Sequence, residues 1–335
     1  MKQAKIKAIS YWLPEVKVTN ADINKEHPEW SIDKIAQKTG IIERRVATDK
    51  YFVSDLAINA AEKLFIEHEI DKAEIDFLLL CTQSPDYFLP TTACVVQDKL
   101  GLKKSIGALD FNLGCSGYVY GLGIAKGLIE SGSASTVLLI TAETYSKFIH
   151  PNDKSNKTIF GDAAAATLIT SDTGLPIRQL IYGTDGAGAE NLIVKNGGIK
   201  NRKSGSKDIL IEEDGSFYKN DDYLFMNGGE IFGFTAQNVP LLVSNVLKKN
   251  GLLQSEIDLF IFHQANKYML DFIRKKIGIP NDKFFYFLEN CGNTVSSTVP
   301  IALKEAMEQE LATPQKKILL AGFGVGYSWA GCILG

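Results

Sequence analysis

The 335-residue chain has only four histidines, three tryptophans and five cysteines, and no excess of charge. The cysteines, Cys81, Cys94, Cys115, Cys291 and Cys332, are odd in number, scattered, and include no C-x-x-C pair. That argues against a disulfide framework and against a metal site, and fits a reducing cytoplasm. A formal net charge of -3 offers no basic surface for nucleic acid. No apolar run approaches the ~18 residues of a membrane helix. The first nine residues alternate like an edge strand and lack the apolar core of a signal peptide. These absences point to a cytoplasmic protein with no membrane span and no nucleic-acid partner. What remains is ordinary globular composition, 45% hydrophobic and 22% charged, in a chain long enough for two domains around a large core.

One stretch stands out. Residues 108–111 form a short apolar run that predicts a buried strand, followed by Leu113-Gly114-Cys115-Ser116-Gly117 and a glycine-spotted apolar segment that predicts a buried helix. A cysteine at such a junction has its sulfur near the positive end of a helix dipole. That field favours thiolate over thiol and would make Cys115 a nucleophile near neutral pH.

Strand and helix patterns alternate along the chain, which predicts an α/β protein. Helices are expected over residues 30–40, ending at Gly40, over 54–70, with Ser54 as cap, and over 91–100. Buried strands are expected over 75–81 and 136–141. The second half repeats the first. Ala73-Glu74-Ile75-Asp76-Phe77 is echoed by Ser255-Glu256-Ile257-Asp258-Leu259, and the spacing from Ile75 to Val137 matches that from Ile257 to Ile318 within one residue. The Cys115 strand and turn have a counterpart in residues 284–293. A duplicated α/β unit follows, with halves at residues 1–172 and 173–335 whose equivalent turns meet across a pseudo-two-fold axis. Residues 186–222 are the least regular stretch, with a basic cluster at Lys195, Lys200, Arg202, Lys203 and Lys207. They read either as a solvated loop or as a lip that meets an anionic ligand.

His263 directly ends the buried strand before it, where α/β proteins place ligands, and Asn293 lies in the turn equivalent to that of Cys115. The residues alone leave open a small buried cysteine, a satisfied structural histidine and an asparagine that caps a turn.

Taken in order, Leu-Gly-Cys115-Ser-Gly, His263-Gln-Ala-Asn, Asn290-Cys-Gly-Asn293-Thr and the tail Gly322-Phe-Gly-Val-Gly-Tyr-Ser-Trp329 make a specific combination. With them come Thr39-Gly40-Ile41, Arg44 and Ile159-Phe160-Gly161-Asp162. Over essentially its whole length the chain resembles the β-ketoacyl-ACP synthase III family of the thiolase superfamily. The resemblance implies a thiolase-like α/β fold, in which duplicated βαβαβ halves, each with a five-stranded sheet, form a layered αβαβα sandwich, and a homodimer. It implies a catalytic Cys115, His263 and Asn293, with His263 and Asn293 donating to an enolate oxygen, and an oxyanion hole from the N–H groups of Cys115 and Val325.

Substrate-binding positions would be Lys38, Lys154, Leu89, Phe232, Gly228, Ala265 and Asn266, with Leu89 as acyl gate. Lys38 and Lys154 stand where the family has arginine, and Lys34 where a tryptophan stacks on the CoA adenine. The activity implied is decarboxylative Claisen condensation of a Cys-bound acyl group from acyl-CoA with malonyl-ACP, giving 3-oxoacyl-ACP in fatty-acid or related biosynthesis. It needs no cofactor beyond the CoA and ACP thioester substrates. The alternatives are a specialised relative that passes the acyl group to a hydroxyl or amine of a sugar or polyketide, and a non-catalytic acyl-binding dimer partner.

Overall fold

The structure is a computed structural model that describes residues 2–211 and 217–335. The chain opens with β1 (Lys5–Trp12). A ribbon of β2 (Val16–Thr19) and β3 (Glu43–Val46) then encloses α1 (Asn20–Glu26) and α2 (Ile32–Thr39). There follow α3 (Val53–Glu67), β4 (Phe77–Cys81), α4 (Thr92–Lys99), β5 (Gly107–Phe111), α5 (Gly117–Glu130), β6 (Thr136–Glu143), α6 (Lys154–Lys157) and β7 (Ala163–Thr170). Next come β8 (Leu175–Thr184) and short ribbons, in which β9 (Leu192–Ile193) pairs with β12 (Phe225–Met226) and β10 (Ile209–Ile211) with β11 (Phe217–Lys219). The chain ends through α7 (Gly228–Asn250), β13 (Leu259–Phe262), α8 (Lys267–Ile277), α9 (Thr298–Glu308), β14 (Ile318–Gly324) and β15 (Ser328–Leu334).

The strands run β13-β14-β15-β8-β1-β7-β6-β4-β5. Reading outward from the middle, β1, β7, β6, β4 match β8, β15, β14, β13 in order and in sense. β4 is parallel to β6 as β13 is to β14, the edge pair β4–β5 is also parallel, and the remaining neighbours are antiparallel. The sets join through Lys5↔Pro176 and Ile6↔Leu175 and through the Ile177 N–H, which donates to the Ala4 carbonyl at 2.9 Å. Helices α3 and α4 pack on one outer face and α7 and α8 on the other. Between them α5 and α9 share one core with strands of both sets, through Tyr118, Leu122, Val299 and Leu303. This is the layered thiolase-like arrangement. β4, β13, β14 and the middle of β6 (Val137–Ile140) are apolar because helices cover both their faces.

Several local expectations need correction. β1 is central rather than an edge strand, with Ile6 and Ile9 packed in the core of α5 and α9 and Ala8 in that of α3. β5 is the edge strand and only half-buried. The counterpart of β5, at residues 284–287, forms a single bridge between Phe284 and Phe260 instead of a strand, so the second set has four strands and not five. Phe52, not Ser54, caps α3, with Asp55 accepting the Phe52 N–H. Residues 186–222 are also more regular than expected, since β9, β10 and β11 lie within them; residues 212–216 fall outside the described residues.

Candidate active site

Cys115 sits in the turn between β5 and α5, just before the N-capping Ser116. The end of β14 lies against it so closely that a Cβ at Gly324 would be 2.9 Å from both Cβ and Sγ of Cys115. The glycine-rich tail is therefore needed to bring backbone to the sulfur. The two N–H groups nominated for an oxyanion hole, those of Cys115 and Val325, both act to lower the pKa of the thiol. Ser116 Oγ meets Ser328 Oγ at 2.6 Å and ties the turn to β15.

The expectation of a resting thiolate fails. The thiol is pushed up to about 12, first by burial and second by the carboxyl of Glu143, and the two N–H contacts do not offset this. Dehydrating the anion costs more than the helix end returns. Cys115 thus rests as a thiol and must lose its proton as it attacks.

His263 follows β13 and is 2% exposed. Its Nδ1 lies 2.7 Å from Thr298 Oγ1, and its ring meets the edge of Phe323 at 5.7 Å and 88°. Burial lowers its pKa to about 3, with the Val295 backbone acting in the opposite sense, so the imidazole is neutral at rest. Asn293 is held by its backbone, its N–H donating to Ile159 at 2.9 Å and its carbonyl accepting from Gly161 at 3.0 Å. Its Oδ1 accepts the Val295 N–H at 2.9 Å, which leaves the Nδ2 amide as the free arm.

Cys115, His263 and Asn293 open onto one cavity of about 700 Å³. Its walls are mainly apolar, including Tyr145, Phe160, Leu224, Ile231 and Phe323, and Trp30, Lys34 and Lys38 also line it.

A family described as 3-oxoacyl-[acyl-carrier-protein (ACP)] synthase III matches residues 109–193, and its C-terminal part matches residues 247–335. The β-ketoacyl-[acyl-carrier-protein] synthase III of Clostridium perfringens is 33% identical over 335 residues, covering 100% of this chain and 99% of that protein. The chain belongs to the 3-oxoacyl-[acyl-carrier-protein] synthase III family. A synthase III 2 of Halalkalibacterium halodurans is 35% identical, covering 100% of this chain and 97% of that one. Among solved structures, a 3-oxoacyl-(acyl-carrier-protein) synthase III superimposes with a TM-score of 0.96 at 47% identity, covering 99% of each chain. That of Burkholderia xenovorans reaches 0.90 at 36% identity, covering 99% of this chain and 93% of that one. As a member of this synthase III family the protein is an acyltransferase of the condensing type. Among the described residues, no helix is long and apolar enough to cross a membrane.

Of the synthase positions expected at the substrate, Lys38, Phe232, Gly228, Ala265 and Asn266 line the cavity. Lys154 does not. Its ammonium pairs with Glu29 at 2.9 Å and lies 5.6 Å from the Trp30 ring centre, so it sits behind two rim residues. Leu89 is 86% exposed and lies outside the chain's own cavity wall. The basic cluster of residues 195–207 also stays off the cavity, and it is Lys219 and Asn220, from the end of β11, that reach the lining. No sequence signal separated these two from their polar neighbours. Glu143, buried and accepting from Ser296 Oγ at 2.8 Å and the Gln83 N–H at 3.1 Å, was not anticipated either.

The buried imidazole has a consequence for stability. The unfolded chain takes up a proton at His263 near the ordinary pKa of about 6.5, while the folded chain does so only near 3. Stability contributed by this site is complete above 6.5 and is lost as pH falls through that window, at up to about 1.4 kcal/mol per pH unit. Denaturant titrations of wild type and His263→Asn should therefore show a stability difference that shifts against the wild type as pH falls from 7 to 4.5. A constant difference would mean that His263 is not desolvated.

Proposed function

We propose that the protein condenses a Cys115-bound acyl group, taken from acyl-CoA, with malonyl-ACP to form 3-oxoacyl-ACP in fatty-acid or related biosynthesis. The observation that carries this reading is the convergence of a buried thiol, a neutral imidazole and an amide with a free Nδ2 on one largely apolar cavity. As Sγ bonds to the thioester carbonyl, His263 accepts the thiol proton, the carbonyl oxygen is held by the N–H groups of Cys115 and Val325, and the C–S bond to CoA breaks. CoA leaves as a thiolate and takes a proton from water. The malonyl thioester then loses carbon dioxide, and its electron pair moves to an enolate oxygen held by Asn293 Nδ2 and by the proton on His263. The enolate carbon attacks the acyl carbonyl, a C–C bond forms, and Cys115 leaves and recovers its proton from His263.

Lys34, Lys38 and Lys219 line the cavity, and their positive charge suits the phosphate groups of the CoA and phosphopantetheine carriers. The substrates themselves are the only non-protein groups this chemistry calls for. We read residues 1–172 and 173–335 as the two halves of a duplication, with the nucleophile in the first and His263 and Asn293 in the second. A homodimer is part of the proposal. The edge strand β5, with Leu109 37% exposed, and the apolar loop of Tyr87, Phe88 and Leu89, 62%, 72% and 86% exposed, are surfaces that a second copy would cover. Leu89 would then gate the neighbouring cavity.

The test is reconstitution. The protein, a dimer by light scattering, incubated with a series of acyl-CoA thioesters and malonyl-ACP should release carbon dioxide and form 3-oxoacyl-ACP. Acylation of Cys115 without carbon dioxide release for any acyl chain would overturn the condensing assignment, and a fully active monomer would overturn the dimer.

A further inference from the structure

A neutral imidazole carries its proton on only one nitrogen, and which one decides what it can do. Around His263 that choice is constrained by Thr298, the first residue of α9, which is 2% exposed. Thr298 Oγ1 lies 2.7 Å from Nδ1 and also donates to the Val295 carbonyl at 3.0 Å. The hydroxyl has one proton. With that proton on the carbonyl, Oγ1 turns a lone pair to Nδ1, and the ring must supply the hydrogen. The Val295 backbone, whose carbonyl can only accept, also acts to hold a proton on the imidazole, against the effect of burial. A bare Nδ1 would therefore confront oxygen lone pairs.

The Val295 peptide is itself held in an unusual conformation. Its φ of 55° is in the left-handed region, which a β-branched residue adopts only when its surroundings impose it. Those surroundings are visible. Ser296 Oγ donates to the buried carboxyl of Glu143 at 2.8 Å, and Ser297 Oγ donates to the Thr141 carbonyl at 3.1 Å, pinning the turn to β6. The Val295 N–H meanwhile occupies Asn293 Oδ1 at 2.9 Å. One strained residue therefore presents its N–H to Asn293 and its carbonyl to Thr298, the partner of His263.

We propose that Thr298 is a positioning residue that fixes the proton of resting His263 on Nδ1 and leaves Nε2 bare to receive the proton of Cys115. The proposal rests on the reading of Cys115 and His263 given above and deepens it. His263 cannot donate through Nε2 until acylation has loaded it, so the proton offered to the enolate oxygen is the one taken from Cys115. The same proton returns to Sγ when the product forms, so the Cys115–His263 pair needs no further donor or acceptor of its own, and water protonates only the departing CoA thiolate.

With only four histidines, long-range proton–nitrogen correlation spectra of ¹⁵N-histidine-labelled protein resolve the tautomer directly. His263, assigned by its loss in His263→Asn, should show a protonated-type Nδ1 and a bare-type Nε2 in the free enzyme near neutral pH. Thr298→Ser should preserve this pattern and acylate near the wild-type rate. Thr298→Val, which removes the hydroxyl at similar volume, should move both nitrogens toward a mixture of tautomers and slow acylation by acyl-CoA by roughly 10²-fold, the share of a positioned proton acceptor. A protonated Nε2 in the wild type overturns the proposal without need of a variant, as does Thr298→Val acylating at the wild-type rate. Failure of wild-type Cys115 to acylate at all would instead overturn the underlying reading, while the nitrogen spectrum still decides the tautomer.

Discussion

Cys115→Ser should lose the acyl adduct that wild-type protein gains on exposure to acyl-CoA, and condensation should fall by about 10⁴-fold or more, as when the nucleophile of a catalytic unit is removed. The expectation rests on where the five thiols sit. Cys81, Cys291 and Cys332 are buried with pKa values pushed up, and they do not line the cavity. Cys94 is exposed on α4. Cys115 is buried like the first three, yet it is the cysteine that lines the cavity, and the backbone N–H groups of Cys115 and Val325 act to lower its pKa. Random thiol chemistry would label Cys94, because access governs it. Chemistry driven by the site would label Cys115, because the cavity brings the thioester to it and His263 takes its proton there. Peptide mapping of the intact acylated protein separates the two. An adduct on Cys94 that survives Cys115→Ser would mean that Cys115 is a buried structural thiol and that the cavity serves another purpose.

The contrast between those readings marks where sequence reasoning stops. The strand-turn-helix at Cys115, the Gly40 cap with its φ of 71° and the paired order of strands were legible, because each follows from local pattern or from the repeat. The thiol's protonation was not. A helix end and a buried pocket act on the same sulfur with opposite sign, and only the three-dimensional packing around Cys115 and Glu143 tells which is larger. The missing fifth strand escaped for a similar reason. Residues 284–287 are apolar enough for a strand, but Phe262, Phe284 and Tyr286 pack as a ring cluster with edge-on and tilted contacts, and among the described residues of this segment Phe284 alone bridges β13. Lys219 lies far from any motif, and nothing in the local pattern after Asn293 and Thr294 joins Thr298 to His263. They enter the site through a ribbon that folds back over the cavity and through a helix start that approaches His263 across 35 positions of sequence.

Asn293→Ala should separate the two half-reactions. The side chain's oxygen is spent on the Val295 N–H, so only Nδ2 is free to meet substrate, and a neutral amide donor has no part in taking the Cys115 proton. Its use begins when negative charge appears on the enolate oxygen. Removing one preorganised donor from such an oxygen typically costs about 10²- to 10³-fold, and that loss should fall on malonyl-ACP decarboxylation while acylation of Cys115 stays near the wild-type rate. A structural side effect is expected too. The Val295 N–H, buried in a strained turn, loses its acceptor, which costs about 1–3 kcal/mol and should lower the melting temperature. The backbone pairing of residue 293 with Ile159 and Gly161 does not involve the side chain, so the turn should persist. Decarboxylation and acylation rates measured on the same folded variant then decide the matter. A disproportionate loss of decarboxylation assigns Asn293 to the enolate, whereas equal losses would show that its amide only holds Val295 in place and that the enolate oxygen is stabilised from elsewhere.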